Sequence, residues 1–179
     1  MYLLCICILT IPFARAERLA IASPDSNSKV NLELKEGALL YSITYKDKII
    51  LEESPLGLLT NIGDFSKTLS LIGSEKSSVD EAYTLDRIKQ SNTHYLANKL
   101  VLKLANADRN PLNVIFQVSN NDVAFRYEIP KKGETASMVI LKEITGFDFP
   151  QYTTTFLTPQ SDPMIGWKRT KPSYEEVYK

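Results

Sequence analysis

Catalysis by a side chain needs an imidazole, a thiol or converging carboxylates, and this 179-residue chain is short of the first two. His94 is the only histidine, a pattern that reads as structural more readily than catalytic, and its solitude excludes a histidine-built zinc site. The two cysteines, Cys5 and Cys7, both fall in the first few residues. Gly37, Gly57, Gly63, Gly73, Gly133, Gly146 and Gly166 are scattered singly, so no glycine-rich phosphate loop is present. Carboxylates are the remaining resource. Hydrolysis of a glycoside uses two of them about 5 to 9.5 Å apart, and calcium uses several oxygen ligands from different loops. The adjacent pairs are Glu52-Glu53, Asp80-Glu81 and Glu175-Glu176. Neighbours on a strand point to opposite faces, so such pairs read as solvated edges or turns. Glu175-Glu176 stands apart, because Tyr174 and Tyr178 flank it in a non-periodic terminal stretch of the kind where site residues gather. Asp25 and Asn27 lack the glycine and distal glutamate of an EF-hand loop and read as turn formers.

Positioning these residues falls to strands. Val123, Phe125, Tyr127 and Ile129 alternate with Ala124, Arg126 and Glu128, the pattern of a half-buried antiparallel strand. Leu112 to Val118 alternates likewise across the turn Ser119-Asn120-Asn121-Asp122, and Lys99 to Leu104 supplies a third strand, so these three are expected to meander into the middle of a sheet. Upstream, Lys29–Lys35, Leu39–Tyr45 and Ile49–Glu53 form a second meander, with turns at Glu36-Gly37 and Lys46-Asp47-Lys48. Ser54-Pro55-Leu56-Gly57-Leu58 suits a bend between sheets. Leu69–Gly73, Ser137–Ile144 and Gln151–Leu157 are further strand candidates, whereas the polar stretch Ser74–Asn92 has no readable register. With no helical period over 11 or more residues, the expected fold is an all-β antiparallel sandwich.

Tyr2–Phe13 is an apolar run closed by Ala14-Arg15-Ala16, which predicts a signal peptide over residues 1–16, although no basic residue precedes the run. It falls short of the ~20 residues of a membrane span. Residues 17–179 would then be exported, to the periplasm or outside the cell, without cysteine and so without disulfide or thiol chemistry. Lys and Arg number 21 and Asp and Glu 21, which leaves no electrostatic footprint for nucleic acid or an anionic membrane. A chain of this length buries roughly 70% of its unfolded surface, enough for one core. The sandwich is expected over residues 17–157, followed by an aperiodic loop, residues 158–179, with three prolines and the only tryptophan, Trp167.

Seven pieces in fixed order carry a resemblance: Ser23-Pro24-Asp25; Tyr41 to Tyr45; Ser54-Pro55-Leu56-Gly57-Leu58; Asp80-Glu81-Ala82-Tyr83; His94-Tyr95; Asp122 to Pro130; and Lys171-Pro172-Ser173-Tyr174-Glu175-Glu176. In this order they resemble the N-terminal domain of glycoside hydrolase family 97, from about Leu19 to Lys179. The resemblance implies a galactose-mutarotase-like super-sandwich that packs on a catalytic (β/α)8 barrel of the same enzyme, an exported α-glucosidase or α-galactosidase acting on α-linked oligosaccharides. It further implies a calcium ion near the scissile sugar, with one ligand from the N-terminal domain matching Glu175 or, second, Glu176. The sequence is expected to stop before the barrel, so the general acid and the base or nucleophile lie outside it and the chain alone is not expected to hydrolyse sugars. Two other readings stand beside this one. A stand-alone carbohydrate-binding sandwich would stack sugars on Tyr152, Trp167 and Tyr174; a purely structural secreted domain would bind nothing.

Overall fold

A computed structural model describes residues 17–85, 92–131, 134 and 137–155. The signal segment expected over residues 1–16 and the terminal loop, residues 158–179, lie outside them. No helix occurs among the described residues. Eleven strands form three antiparallel sheets.

The first sheet is the meander β1 (Glu17–Ala22), β2 (Ser28–Lys35), β3 (Ala38–Tyr45) and β4 (Lys48–Leu56), in that order. Period-two alternation drives Val30, Leu32, Leu39 and Tyr41 into the core. The β2–β3 and β3–β4 turns each carry two successive residues with positive φ, Glu36 and Gly37 in one and Lys46 and Asp47 in the other, the conformation whose twist matches paired strands. Strand β4 deviates from simple alternation. Tyr41 faces Ser54 and Ile43 faces Leu51, so an extra residue bulges at Glu52-Glu53 and keeps both Leu51 and Ser54 buried while the two glutamates face solvent.

The second sheet runs β10 (Val123–Glu128), β9 (Pro111–Ser119), β8 (Asn92–Ala105), β7 (Ser70–Thr84). Its inner face contributes Leu100, Leu102, Leu104, Leu112, Val114, Phe116 and Val118 to a core shared with the first sheet. Burying such side chains is worth about 1.5–3 kcal/mol each. Here the expectation for the central meander is corrected. Among the described residues β8 and β9 lie inside the sheet but β10 ends it, and Val123, Phe125 and Tyr127 alternate as expected yet are only half-buried. The polar stretch Ser74–Asn92, without readable register in the sequence, is extended over nearly all its described residues. The 15-residue β7 forms, with the start of β8, a two-stranded ribbon running past Ala97 and Ser119, where β9 ends its pairing with β8.

The third sheet, β11 (Ile140–Glu143), β5 (Leu58–Thr60) and β6 (Gly63–Asp64), begins where β4 stops. The bend expected at Ser54–Leu58 is therefore a passage between sheets at Gly57. The strand expected over Ser137–Ile144 is shorter, and Gln151–Thr155 forms a turn followed by irregular backbone rather than a strand, with Pro150 O accepting from Thr153 N.

Candidate functional site

The passage between sheets is also where the chain is led toward its terminal segment. Gly57 lies so close to Ser66 that a Cβ there would stand 2.7 Å from the Ser66 Cα, so only glycine lets the two backbones approach. Its N–H donates to the Tyr127 hydroxyl at 3.0 Å, and that hydroxyl shares a second bond of 2.6 Å with Thr145 Oγ1. Residues 144–148 then follow β4 backwards. Ile144 N donates to Gly57 O, Gly146 N to Pro55 O, and Glu52 N to Asp148 O. Tyr41 reaches the same segment, its hydroxyl donating to Gly146 O at 3.1 Å. A Cβ on Gly146 would stand 2.8 Å from the Pro55 ring, so this contact too depends on glycine. Two tyrosines, one from each large sheet, thus fasten one strap to the sandwich. Burial pushes the Tyr41 phenol up to about 12, with Tyr127 adding to the shift, and burial raises Tyr127 as well.

Aromatic rings continue outward from this point. Tyr41 and Phe116 lie 6.1 Å apart, Tyr41 and Phe125 5.6 Å, and Phe147 of the strap meets Tyr41 edge-on at 6.4 Å. Beyond Phe147 and Phe149 the strap leads to Tyr152, the most exposed large hydrophobic side chain among the described residues, whose hydroxyl touches Ile49 O at 3.4 Å.

Sequence reasoning singled out Trp167, Tyr174, Glu175 and Glu176, and all four lie outside the described residues. Among the described residues, no three His, Cys, Asp or Glu side chains gather as a metal site. Asp25 is a turn former. It accepts from the Ser23 hydroxyl at 2.6 Å, from Asn27 N and from Asn27 Nδ2, and the Ser23 bond foremost lowers its pKa. His94 sits on the projecting ribbon, its Nε2 2.6 Å from Asp80 Oδ1, with both side chains largely exposed. Glu81 on that ribbon faces away from Asp80, as neighbours on a strand must. What sequence reasoning missed is the anchoring role of Tyr127 and Tyr41, whose partners are 70 and 105 residues distant; alternation marked them only as inward-facing.

Two open grooves lie on the described surface. One, about 450 Å³, runs over the first sheet between Arg18, Asn31, Glu33, Ser42 and Glu53; the other, about 510 Å³, is bordered by Lys29, Lys76 and Lys99. Neither offers an exposed ring for a sugar to stack on, since Tyr41 in the first is buried. No helix among the described residues is long and apolar enough to cross a membrane.

The glycosyl-hydrolase 97 N-terminal family model matches residues 21–179. Among solved structures, a β-arabinopyranosidase is 52% identical with a TM-score of 0.83, over 90% of this chain and 26% of that one. A glycoside hydrolase family 97 enzyme from Pseudoalteromonas sp. strain K8, solved with panose and with acarbose, shares the fold at 24% identity and a TM-score of 0.68, over 74% of this chain and 20% of that one. A probable retaining alpha-galactosidase of Streptomyces bingchenggensis (strain BCW-1) is 28% identical over 141 residues, 76% of this chain and 22% of its own length. The chain thus spans about a quarter of the length of the relatives it matches. With the match running through both large sheets and the strap that joins them, the chain belongs to glycoside hydrolase family 97, as N-terminal domain sequence.

Proposed function

We propose that this chain serves as the N-terminal sandwich of an exported, calcium-dependent α-glycosidase, packing on the catalytic barrel and lending it a carboxylate from Glu175, with Glu176 as the second choice. The observation that carries this reading is the 52% identity with a β-arabinopyranosidase, sustained over 90% of this chain and 26% of that one. Barrel residues would carry out bond cleavage; this chain's part is to hold the strap at Tyr41, Tyr127 and Gly146, so that the segment bearing Trp167, Tyr174 and Glu175 reaches the sugar from a fixed starting point. Calcium, when bound, would neutralise charge and orient the sugar beside the barrel's acid and base. Residues 1–16 would direct export and be removed.

Within the α-glucosidase and α-galactosidase range our reading is the galacto configuration, on two of the relatives; the family 97 enzyme solved with the glucose-type ligands panose and acarbose stands for the alternative. An arabinopyranoside of the common L series in the β form has the ring configuration of an α-galactoside lacking its hydroxymethyl group, and the curated relative carries an alpha-galactosidase name. The test is a chimera in which this chain replaces the matched part of the β-arabinopyranosidase. It should cleave chromogenic β-L-arabinopyranoside or α-galactoside faster than α-glucoside, and Glu175→Gln should raise the calcium concentration needed for half-maximal rate by at least about tenfold, or about 1.4 kcal/mol. Unchanged calcium dependence in both Glu175→Gln and Glu176→Gln would overturn the ligand assignment.

A further inference from the structure

We propose that residues 139–149 form a docking edge, completed by a β-strand from the three quarters of a family 97 hydrolase that this chain does not span; the inference rests on the reading given under Proposed function. Val139, Ile140 and Leu141 are 57%, 55% and 61% exposed. Val139 leads into β11 and Leu141 is the extra residue of a bulge, so three apolar side chains emerge in a row at the head of the strand with no polar residue between them. A strand with one face in water alternates, whereas an unbroken apolar run belongs to a strand covered on both faces.

The outer edge of β11 has no strand neighbour among the described residues, and β5 occupies its other edge. Natural edge strands are blunted by charge, proline or a bulge. A bulge does lie between Ile140 and Lys142, and Lys142 and Glu143 charge the end of the strand, yet Val139, Ile140 and Leu141 at its head are all apolar. The exposed apolar surface resumes at Phe147, 59% exposed, whose ring is the outermost of the aromatic group built on Tyr41 and Phe125. The hydrophobic core therefore runs out to the surface along the strap. A covering strand supplies what both features lack, a hydrogen-bonding neighbour and an apolar lid.

Val139, Ile140, Leu141, Phe147 and Phe149 call for an apolar lid, with Lys142, Glu143 and Asp148 exposed among them, and a neighbour fixed in the same polypeptide needs no concentration to stay bound. Relatives matched over only 20–26% of their own length have such polypeptide to offer.

The experiment compares Ile140→Lys and Leu141→Lys with Ile72→Lys at an exposed apolar position on β7. Each is made in the 179-residue chain and in the β-arabinopyranosidase chimera, and Tm is measured. The two edge substitutions are expected to lower the chimera's Tm by at least about 4 °C relative to Ile72→Lys, while leaving the 179-residue chain within about 1 °C of its parent. A chimera indifferent to both edge substitutions would overturn the proposal. So would an equal loss in the shorter chain, which would mean that its own residues cover the edge. A dimer of the shorter chain dissolved by Leu141→Lys, with the chimera unaffected, would overturn it in favour of a second copy. Tm is read whether or not the chimera is active, so failure of the enzymatic reading is seen separately, in the sugar assays.

Discussion

Val114-Ile115-Phe116 and Val139-Ile140-Leu141 are nearly the same apolar triplet, and they meet opposite fates. In β9 all three residues are buried, the first and third completely; at β11 all three are more than half exposed. Composition is not the cause. β9 lies between β8 and β10 and faces the first sheet, whereas among the described residues β11 has a neighbour on one side only. An apolar run thus specifies a strand that needs cover, and whether the cover is present depends on residues far away in sequence.

The largest expected effect comes from breaking the covered side. Phe116→Ala empties a fully buried site in contact with Tyr41 and Phe125 and should cost about 3–5 kcal/mol in urea unfolding. If it costs no more than a surface substitution, the core is not where the buried residues put it. Gly57→Ala attacks the passage between the two regions, forcing a Cβ into Ser66, and is expected to cost roughly 1–3 kcal/mol by the same measurement. Tyr127→Phe leaves the ring but takes away the hydroxyl that joins Gly57 N to Thr145, for about 1–2 kcal/mol. In hydrogen exchange, its effect should concentrate on residues 144–148 and spare β8 and β9.

The strap's dependence on neutral tyrosine gives a pH test. Tyr41 has its pKa raised from 10.0 to about 12 in the fold, so its contribution to stability is complete below pH 10 and is lost as pH rises through about 12. Melting temperature should fall across that window, and Tyr41→Phe should flatten the fall. The smallest effect is expected on the ribbon. His94→Gln removes an exposed side-chain contact with Asp80 and should change stability by no more than about 0.5 kcal/mol.

Strands with one wet face were legible in the sequence. Alternation located β2, β3, β9 and β10, the second half of β8 was legible at Lys99–Leu104, and Ser54–Leu58 marked the passage between sheets. Strand β7 was not legible beyond Gly73, because a ribbon with both faces in water places no demand on the order of its side chains. Nor was β1 identified as a strand in its own right, although Glu17–Ala22 pairs along its whole length with β2. The third sheet was hidden for another reason: β11 joins β5 across some 80 residues, and local pattern carries no trace of such a partner. At the candidate site, the resemblance supplied Glu175 and Glu176, whereas the anchors Tyr41, Tyr127, Gly57 and Gly146 emerged only from the fold.

The central claim is that one side of this sandwich is finished by its own residues and the other by the rest of a hydrolase. Amide hydrogen exchange in the 179-residue chain and in the chimera tests it most directly. The account predicts that β8 and β9 are protected in both, while residues 139–149 become protected only in the chimera. Equal protection of residues 139–149 in the two proteins would contradict it.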